Sequence, residues 1–363
     1  MIQSAKSAIH NFNAGPSILP KEVFEDASRA IIDFNNTGLS ILEIGHRTPI
    51  FQAVMDEARN LVKELMLLDE NHEVLFLHGG ATTQFMQVPM NLLNEKEMAS
   101  YTETGTWAAK AIKEAKLFGH IEIAASTKEN NYTCIPKVIS VSPTAAYLHI
   151  TTNETIAGTQ WHKIPYDCGV PLVADMSSDI FSRVIDYNKF DLLYAGAQKN
   201  MGAAGVNLVV VNKNILGKVE RVIPTILDYR NHIKYGSMLN TPPVFAVYVA
   251  MLTLRWLNKQ GGIKAMEKRN NEKAKLFYET LDSLPIYRAI VAKEDRSIMN
   301  AVFVIDDPVQ EKAFAELCKN EGMYGVKGHR SVGGFRVSMY NALPLESVKV
   351  LTELMKEFAI KKG

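Results

Sequence analysis

Short apolar runs alternate with amphipathic segments in the chain before residue 240. Apolar residues recur at helical spacing in residues 22–34 and 51–67, and this spacing predicts two amphipathic helices. Compact apolar runs predict buried strands at residues 74–78, 121–124, 147–150, 172–174, 192–195 and 208–211. Further helices are predicted at residues 84–93 and 107–118. Because buried strands that alternate with helices favour parallel pairing, we predict an α/β domain with a mostly parallel sheet flanked by helices.

The pattern changes after Pro243. One helix is predicted to run from there to about Lys259, a Gly-Gly pair interrupts it, and a second helix continues to about Leu284. Two strands, with helices around them, are predicted in the remainder of the chain, at residues 301–305 and 335–339. This remainder has the pattern of a smaller α/β unit.

The length of 363 residues exceeds one typical domain and suits a large domain together with a smaller one. Hydrophobic residues make up 47% of the chain, which is enough for two cores. We expect a large domain over residues 17–255 and a smaller C-terminal domain over residues 256–363. Residues 1–16 are expected to pack against the smaller domain.

The charge balance gives no sign of a nucleic-acid or membrane partner. Forty basic residues accompany thirty-nine acidic ones, so the formal net charge of +1 leaves no global field that would attract either. The three cysteines are scattered and form no C-x-x-C pair, which disfavours a disulfide framework or a metal site and fits a reducing compartment. We recognise no signal peptide and no apolar run of ~20 residues, so we expect a cytoplasmic protein without a metal.

Two predicted strands lead directly into a charged residue. Asp175 closes an apolar run, and Lys199 follows the next strand among glycines and alanines. An aspartate at a strand end is often a turn former, and a lysine is usually a solvated surface residue. The alternative is a cofactor site at the carboxyl edge of the sheet, where Asp175 holds a cationic ring nitrogen and Lys199 forms a Schiff base. The pair alone leaves both interpretations open.

Two further segments suit a phosphate group. Thr241 before Pro242 predicts a helix N-cap followed by proline at the first helical position, and free N–H groups at such a helix start bind anions. The run from His78 to Thr83 places glycines and small residues between a strand and a helix, which is a second arrangement of this type. A capped helix start also has a purely structural explanation, so neither segment requires a ligand.

The chain resembles the phosphoserine aminotransferase family from residue 11 to residue 336. The resemblance rests on motifs that occur in the family's order: Asn11-Phe-Asn-Ala-Gly-Pro16, Glu43-Ile-Gly-His-Arg47, Leu77-His-Gly-Gly80, Thr106-Trp-Ala-Ala109, Asn153-Glu-Thr-Ile156, Tyr194-Ala-Gly-Ala-Gln-Lys-Asn200, Gly236-Ser-Met-Leu-Asn-Thr-Pro-Pro243, Lys327-Gly-His-Arg330 and Gly333-Gly-Phe-Arg336. Each motif is weak alone, and their number and order make the resemblance specific. It implies the fold of the fold-type-I pyridoxal-phosphate transferases, with pyridoxal 5′-phosphate as the cofactor.

The resemblance also implies the residues of the cofactor site. Lys199 would be the Schiff-base lysine and would move the proton between substrate and cofactor, while Asp175 would hold the pyridinium nitrogen. Trp107 would stack on the ring and Thr155 would hydrogen-bond its hydroxyl group, although without the family these are an ordinary core aromatic and a loop hydroxyl. The implied phosphate ligands are Ala81, Thr82, Gln198 and, from a second subunit, Asn240 and Thr241.

The implied substrate site accepts two anionic groups. Arg336 would bind the α-carboxylate, because a guanidinium group suits a carboxylate in bidentate geometry. The distal carboxylate or phosphate would lie among His329 and Arg330 and, from the neighbouring subunit, His46 and Arg47. A single His-Arg pair is usually surface charge, and the two pairs matter here because both lie inside matching motifs. A homodimer is therefore part of the implied site.

Thr82 departs from the family pattern. Many members carry an arginine at this position, where it helps to hold the substrate phosphate. The phosphate pocket of this chain therefore has one cation fewer. We expect either compensation by other donors or weaker phosphate binding.

The implied reaction moves the amino group of L-glutamate to 3-phosphohydroxypyruvate and yields O-phospho-L-serine, a step of serine biosynthesis. Family members also act on a four-carbon phospho-keto acid in vitamin B6 synthesis, and the sequence leaves this activity open. The alternative is another small-molecule aminotransferase of fold type I. A cysteine desulfurase fits less well, because Cys318 is predicted to lie inside a helix. The chain lacks G-x-G-x-x-G and G-x-x-x-x-G-K-[ST], which disfavours a non-catalytic nucleotide-binding protein.

Overall fold

The computed structural model describes residues 9–362, and this part of the chain contains fourteen strands and nine α-helices. The strands are β1 (His10–Asn11), β2 (His72–Leu77), β3 (Met98–Glu103), β4 (His120–Ser126), β5 (Leu148–Thr151), β6 (Asn153–Glu154), β7 (Thr159–Gln160), β8 (Leu172–Asp175), β9 (Leu192–Gly196), β10 (Asn207–Asn212), β11 (Arg288–Ala289), β12 (Asn300–Val304), β13 (Met323–Tyr324) and β14 (Phe335–Ser338). The helices are α1 (Lys21–Ile32), α2 (Pro49–Met66), α3 (Gly80–Leu92), α4 (Thr106–Ala115), α5 (Tyr229–Lys234), α6 (Val244–Lys259), α7 (Gly262–Ser283), α8 (Pro308–Asn320) and α9 (Leu345–Lys362).

A seven-stranded sheet with the order β2-β10-β9-β8-β5-β3-β4 forms the centre of the larger part. Its strand pairs are parallel except for those of β10, which runs antiparallel to β2 and to β9. The prediction of a mostly parallel sheet is confirmed. Three neighbouring strands, β5, β8 and β9, end side by side at the same edge, where Thr151 is paired with Asp175 and Asp175 with Tyr194.

The central strands β8, β9 and β10 are buried on both faces, which explains their nearly continuous apolar sequences. In β8, Leu172 and Ala174 belong to a core shared with α1, α2 and α6. Val173 points to the other face and belongs to a core shared with α3 and α4. The sheet is therefore held between two helical layers.

The C-terminal part has a separate core around a three-stranded sheet with the order β11-β12-β14. Helices α7, α8 and α9 contribute to this core, and the buried Cys318 lies within α8 as predicted. At the other end of the chain, β1 pairs with β13 and Phe12 is buried in the same core. Residues 1–8 of the predicted N-terminal segment lie outside the described residues. The predicted boundary at residue 256 falls inside α6, and the division into two domains stays a prediction.

The start of α6 differs from the prediction. Thr241 is not the N-cap, because α6 begins at Val244 with Pro243 in the N-cap position and no side-chain cap. A residue that precedes proline is kept out of the helical region, so the two consecutive prolines delay the helix. Thr241 therefore lies in an irregular segment before α6.

Two other elements also differ. The strand β3 was not predicted, because polar residues such as Ser100 and Thr102 interrupt its apolar residues, although both are buried. Helix α3 begins at Gly80, earlier than predicted, so Ala81 and Thr82 lie in its first turn. Among the described residues no helix is long and apolar enough to cross a membrane, and no group of three or more side chains could hold a metal.

Candidate active site

A cavity of about 350 Å³ opens at the carboxyl edge of the central sheet. It lies where β5, β8 and β9 end, which is where ligands bind in open α/β sheets. The starts of α3 and α4, the N-terminal segment and β14 supply the rest of its wall. Most of the predicted site residues line it, namely Ala81, Thr82, Trp107, Thr155, Asp175, Gln198, Lys199, His329 and Arg336.

Lys199 lies in the turn after β9, and its side chain is buried in the cavity wall. Its Nζ atom donates a hydrogen bond to Thr155 Oγ1 at 2.9 Å and lies 5.6 Å from the centroid of the Trp107 ring. Burial lowers the pKa of Lys199 to about 8, although the charges of Asp175 and Glu154 favour its protonated form. The N-terminal segment holds the turn, since the Ser17 hydroxyl donates to the Lys199 carbonyl. The amine is therefore desolvated and fixed, as a Schiff-base lysine must be.

Asp175 is the last residue of β8, and only 5% of its surface is exposed. Its Oδ1 atom accepts a hydrogen bond from the backbone N–H of Ser177 at 2.8 Å. Burial raises the pKa of Asp175, while the charge of Lys199 and the contact with Ser177 act in the opposite direction. Asp175 lines the cavity, so its carboxylate can also accept a hydrogen bond from a cationic ring nitrogen.

The start of α3 presents backbone N–H groups to the same cavity. Gly79 occupies the N-cap position with φ of +89°, and no side chain caps the helix. A Cβ atom at Gly79 would lie 1.8 Å from Thr83 Oγ1, so both the conformation and the space require glycine. The first-turn N–H groups at Gly80, Ala81 and Thr82 lack partners within the helix and lie at the positive end of its dipole. This arrangement suits a phosphate group.

Trp107 lies in the first turn of α4, and a buried carboxylate holds that turn. Glu154 accepts hydrogen bonds from the backbone N–H groups of Trp107 at 3.3 Å and of Ala108 at 3.0 Å. Burial raises the pKa of Glu154 to about 7, against the effect of these two hydrogen bonds. Glu154 was not among the residues predicted from the sequence; the available signal was a single acidic residue in the otherwise uncharged motif Asn153-Glu-Thr-Ile156.

Arg336 extends from β14 to the segment that carries Thr155. Its Nη1 atom donates to the Thr155 carbonyl at 3.4 Å, and its buried Nε atom has no partner among the described residues. Burial lowers the pKa of Arg336, which is nevertheless always protonated in proteins. A free, buried guanidinium donor beside Lys199 is the feature that a carboxylate ligand requires.

His329 adds an imidazole group to the cavity wall, and several cations lie close enough to act on it. Its Nδ1 atom is hydrogen-bonded to the Ser331 hydroxyl at 2.7 Å. Burial lowers the pKa of His329, and the charges of Arg336, Arg330 and Lys110 lower it further. Lys110 follows Trp107 by one helical turn, and its Nζ atom lies 4.4 Å from the centroid of the Trp107 ring. Lys110 was not among the residues predicted from the sequence, because an exposed lysine in a helix has no distinguishing pattern.

The remaining predicted residues do not line this cavity within one chain; they are His46, Arg47, Asn240, Thr241 and Arg330. Arg330 follows His329 directly, and its charge acts on that residue. The Thr241 carbonyl is hydrogen-bonded to Nε2 of His78 at 2.8 Å, next to the glycines that begin α3. His46 and Arg47 lie in the segment before α2, away from these residues in sequence and outside the cavity wall.

The sequence matches that of the class-V aminotransferases over residues 9–351. The chain belongs to this family. It is 55% identical to the phosphoserine aminotransferase of Flavobacterium johnsoniae, over 97% of this chain and 99% of the relative. The phosphoserine aminotransferase of Porphyromonas gingivalis is 53% identical, over the same shares of the two chains.

Solved structures of phosphoserine aminotransferases share the fold. The enzyme from Bacillus circulans subsp. alkalophilus has a TM-score of 0.95 at 44% identity, with 98% of this chain and 99% of that chain covered. The Trichomonas vaginalis enzyme, solved with pyridoxal phosphate bound, has a TM-score of 0.91 at 36% identity, with 96% and 100% covered. The predicted family, its fold class and its aminotransferase class are confirmed.

Proposed function

We propose that this chain is a phosphoserine aminotransferase that moves the amino group of L-glutamate to 3-phosphohydroxypyruvate. The products are 2-oxoglutarate and O-phospho-L-serine, which places the reaction in serine biosynthesis. One observation carries the proposal. Lys199 is buried with a lowered pKa and lines the same cavity as Asp175 and Arg336. Relatives that are 53–55% identical over nearly the whole chain carry the name of this activity.

Pyridoxal 5′-phosphate is the cofactor of this aminotransferase, and the cavity residues fit it. The N–H groups at Ala81 and Thr82, with the Gln198 side chain, suit its phosphate. Asp175 suits the ring nitrogen, the Thr155 hydroxyl suits the ring hydroxyl, and the Trp107 indole provides a surface for stacking. When bound, the cofactor withdraws electrons from the α-carbon of the substrate and so makes its proton acidic.

Lys199 is the residue that moves this proton. Its amine has a pKa of about 8, so a substantial neutral fraction is available as a base near neutral pH. The Thr155 hydroxyl at 2.9 Å orients Nζ within the cavity. The same amine donates the proton back later in the reaction, because it is still the nearest basic group in the cavity.

The two ends of the substrates are bound by different cations. Arg336 binds the α-carboxylate with the guanidinium nitrogens that face the cavity. The distal carboxylate or phosphate lies toward His329 and the two cations that act on it, Arg330 and Lys110. Lys110 supplies part of the positive charge that Thr82 does not.

The proposal includes a homodimer in the cytoplasm. His46, Arg47, Asn240 and Thr241 stay outside the cavity wall of a single chain, and a second copy is the source from which they reach the site. In this arrangement the pairs His46–Arg47 and His329–Arg330 enclose the distal anion from two subunits. Activity on the phosphorylated four-carbon acceptor of vitamin B6 synthesis, which would give 4-phosphohydroxythreonine, is a further part of the proposal.

The deciding experiment compares acceptors with L-glutamate as the common donor. The purified protein is assayed with 3-phosphohydroxypyruvate, with the four-carbon phosphorylated acceptor, and with oxaloacetate and pyruvate. We expect a higher kcat/KM with 3-phosphohydroxypyruvate than with oxaloacetate or pyruvate, because a phosphate carries more charge than the distal carboxylate of oxaloacetate and pyruvate has no distal anion. Equal or higher values with oxaloacetate or pyruvate would support another small-molecule aminotransferase instead.

A further inference from the structure

Glu154 is a fully buried carboxylate that has no part in the proposed chemistry. It is the last residue of the short strand β6, between Asn153 and Thr155. The pairing of β6 with β7 and two hydrogen bonds from the Asn153 side chain, to Ser178 Oγ and to Asn300 Oδ1 at 2.8 Å each, fix this segment. The backbone that carries Glu154 is therefore rigidly placed.

The carboxylate of Glu154 caps a helix that has no cap of its own. Gly105 occupies the N-cap position of α4 and offers no side chain. Glu154, 46 residues along the chain from Ala108, supplies the missing acceptors for the N–H groups of Trp107 and Ala108. A Cβ atom at Gly105 would lie 2.2 Å from Glu154 Cδ, so the absence of a side chain there makes room for the carboxylate.

A local cap would have been simpler. Serine, threonine or aspartate at an N-cap stabilises a helix start without burying a charge. A buried carboxylate is costly, and that of Glu154 also lies within the electrostatic reach of Asp175, which raises its pKa, and of Lys199, which lowers it. The arrangement therefore does more than cap α4: it connects the first turn of α4 to the β6–β7 segment.

The two segments that Glu154 joins carry the groups on either side of Lys199. Thr155, the next residue, lies 2.9 Å from Lys199 Nζ. Trp107, whose backbone N–H is bound by Glu154, places its ring centroid 5.6 Å from the same atom. One carboxylate thus links Thr155, the proposed partner of the cofactor's ring hydroxyl, to Trp107, the residue proposed to stack on the ring.

We propose that Glu154 is a positioning residue that fixes the spacing between the Trp107 indole and the Thr155 hydroxyl around the cofactor ring. The inference rests on the proposed place of the cofactor beside Lys199. Glu154 itself touches neither substrate nor cofactor; it acts through the first turn of α4.

The test measures the dissociation constant of pyridoxal phosphate for the apoprotein and the visible circular dichroism of the bound cofactor. In Glu154→Gln the amide group accepts from one N–H and turns its own donors toward the other. We expect the dissociation constant to rise about tenfold, as for a lost hydrogen bond to a charged group, and the visible dichroism per bound cofactor to weaken. The control is Glu103→Gln at the end of β3, whose carboxylate accepts hydrogen bonds from the hydroxyls of Ser126 and Tyr132; it should leave both values unchanged.

A second variant keeps the charge and covers the case in which Glu154→Gln does not fold. Gly105→Ala places a methyl group where the carboxylate lies, at a φ of 170° that alanine adopts freely, and should change both values in the same direction. If the variants lower only the unfolding temperature and keep wild-type affinity and dichroism, Glu154 is merely structural and the proposal is wrong. Failure of the proposed function would appear separately, in the comparison of acceptors, and failure of the proposed cofactor site would appear as the absence of a cofactor band in the wild-type protein.

Discussion

At the scale of single residues, we expect the protonation of Lys199 to control the uptake of pyridoxal phosphate. Only the neutral amine attacks a carbonyl group, and burial lowers the pKa of Lys199 from 10.5 to about 8. Below this pKa the neutral fraction falls about tenfold per pH unit. We expect the rate of pyridoxal phosphate uptake by the apoprotein to rise with pH and to level off near pH 8, as measured by stopped-flow absorbance.

An uptake rate that still rises at pH 10 would show an ordinary, solvated lysine and contradict this expectation. The control identifies the reacting residue. Borohydride reduction after uptake, followed by peptide mapping, should place the label on Lys199. A label on another lysine would remove the basis of the pH prediction and of the proposed mechanism.

Thr82 leaves the first turn of α3 without the cation that many family members have there. We expect Thr82→Arg to lower the KM for 3-phosphohydroxypyruvate about tenfold, the usual effect of one charge-assisted hydrogen bond, and to change the KM for glutamate less. Steady-state kinetics with each substrate varied in turn measures both. An unchanged KM for the phosphorylated acceptor would mean that the pocket already has enough positive charge.

The proposed contribution of Lys110 to that pocket is tested by comparison with a second lysine of α4. Lys110→Met removes the ammonium group 4.4 Å from the Trp107 ring and should raise the KM for the phosphorylated acceptor. Lys113→Met, one turn further along α4, removes an equal charge and should have no effect. Equal effects of the two substitutions would indicate a general field of α4 and not a contact with the substrate.

Part of the site was predictable because its residues follow strands. Asp175 and Lys199 come directly after apolar runs, so the geometry of a parallel sheet brings them to one edge. Glu154 and Lys110 were not predictable in this way. The partner of Glu154 is a pair of backbone N–H groups in α4, and such a pairing appears only when the chain is folded.

At the scale of elements, the start of α3 depends on Gly79. Its φ of +89° strains any other residue, and a Cβ atom would collide with Thr83 Oγ1 at 1.8 Å. We expect Gly79→Ala to lower the free energy of unfolding by about 1–3 kcal/mol and to weaken cofactor binding, because the N–H groups of the first turn move. Thermal unfolding and a cofactor titration measure the two effects.

Gly38 is the matched control for this substitution. It has a φ of +76° with no heavy atom within 4 Å of a built Cβ, so Gly38→Ala adds conformational strain without a collision. It should lose some stability and keep its affinity for pyridoxal phosphate. Equal loss of affinity in both variants would indicate that the start of α3 does not bind the cofactor phosphate.

The elements themselves were predictable where burial and periodicity agree. Strands such as β8 and β9 are apolar on both faces and are evident from sequence. The strand β3 is as deeply buried, yet Ser100 uses its hydroxyl to bind Glu122 and so tolerates a buried position. Patterns of hydrophobicity cannot reveal a strand in which buried polar residues such as Ser100 and Thr102 take the place of apolar ones.

At the scale of the whole molecule, the proposed shared site makes the two subunits complementary. A mixed dimer of a Lys199→Ala chain and an Arg47→Ala chain contains one site with both residues intact. We expect each variant alone to be nearly inactive and mixtures that exchange subunits to regain activity. Coexpression with two affinity tags, purification of the mixed dimer and the standard assay provide the measurement.

No recovery of activity in the mixed dimer would place Arg47 outside the site of the second chain. A mixture of Lys199→Ala with Asp175→Asn is the control. Both of these residues lie in the cavity of one chain, so no combination of the two variants restores a complete site.

The central position of β8 has a consequence for how the molecule opens. Three strands lie on each side of it in the sheet, and helical layers cover both faces. Fluctuations that fray the edge strand β4 or loosen the C-terminal core leave the amides of β8 protected. Exchange of these amides requires the cores on both faces of the central sheet to open. Hydrogen exchange at the backbone of Val173 and Ala174 in β8 therefore reports the rarest openings, and the strand that carries Asp175 is the last part of the fold to be lost.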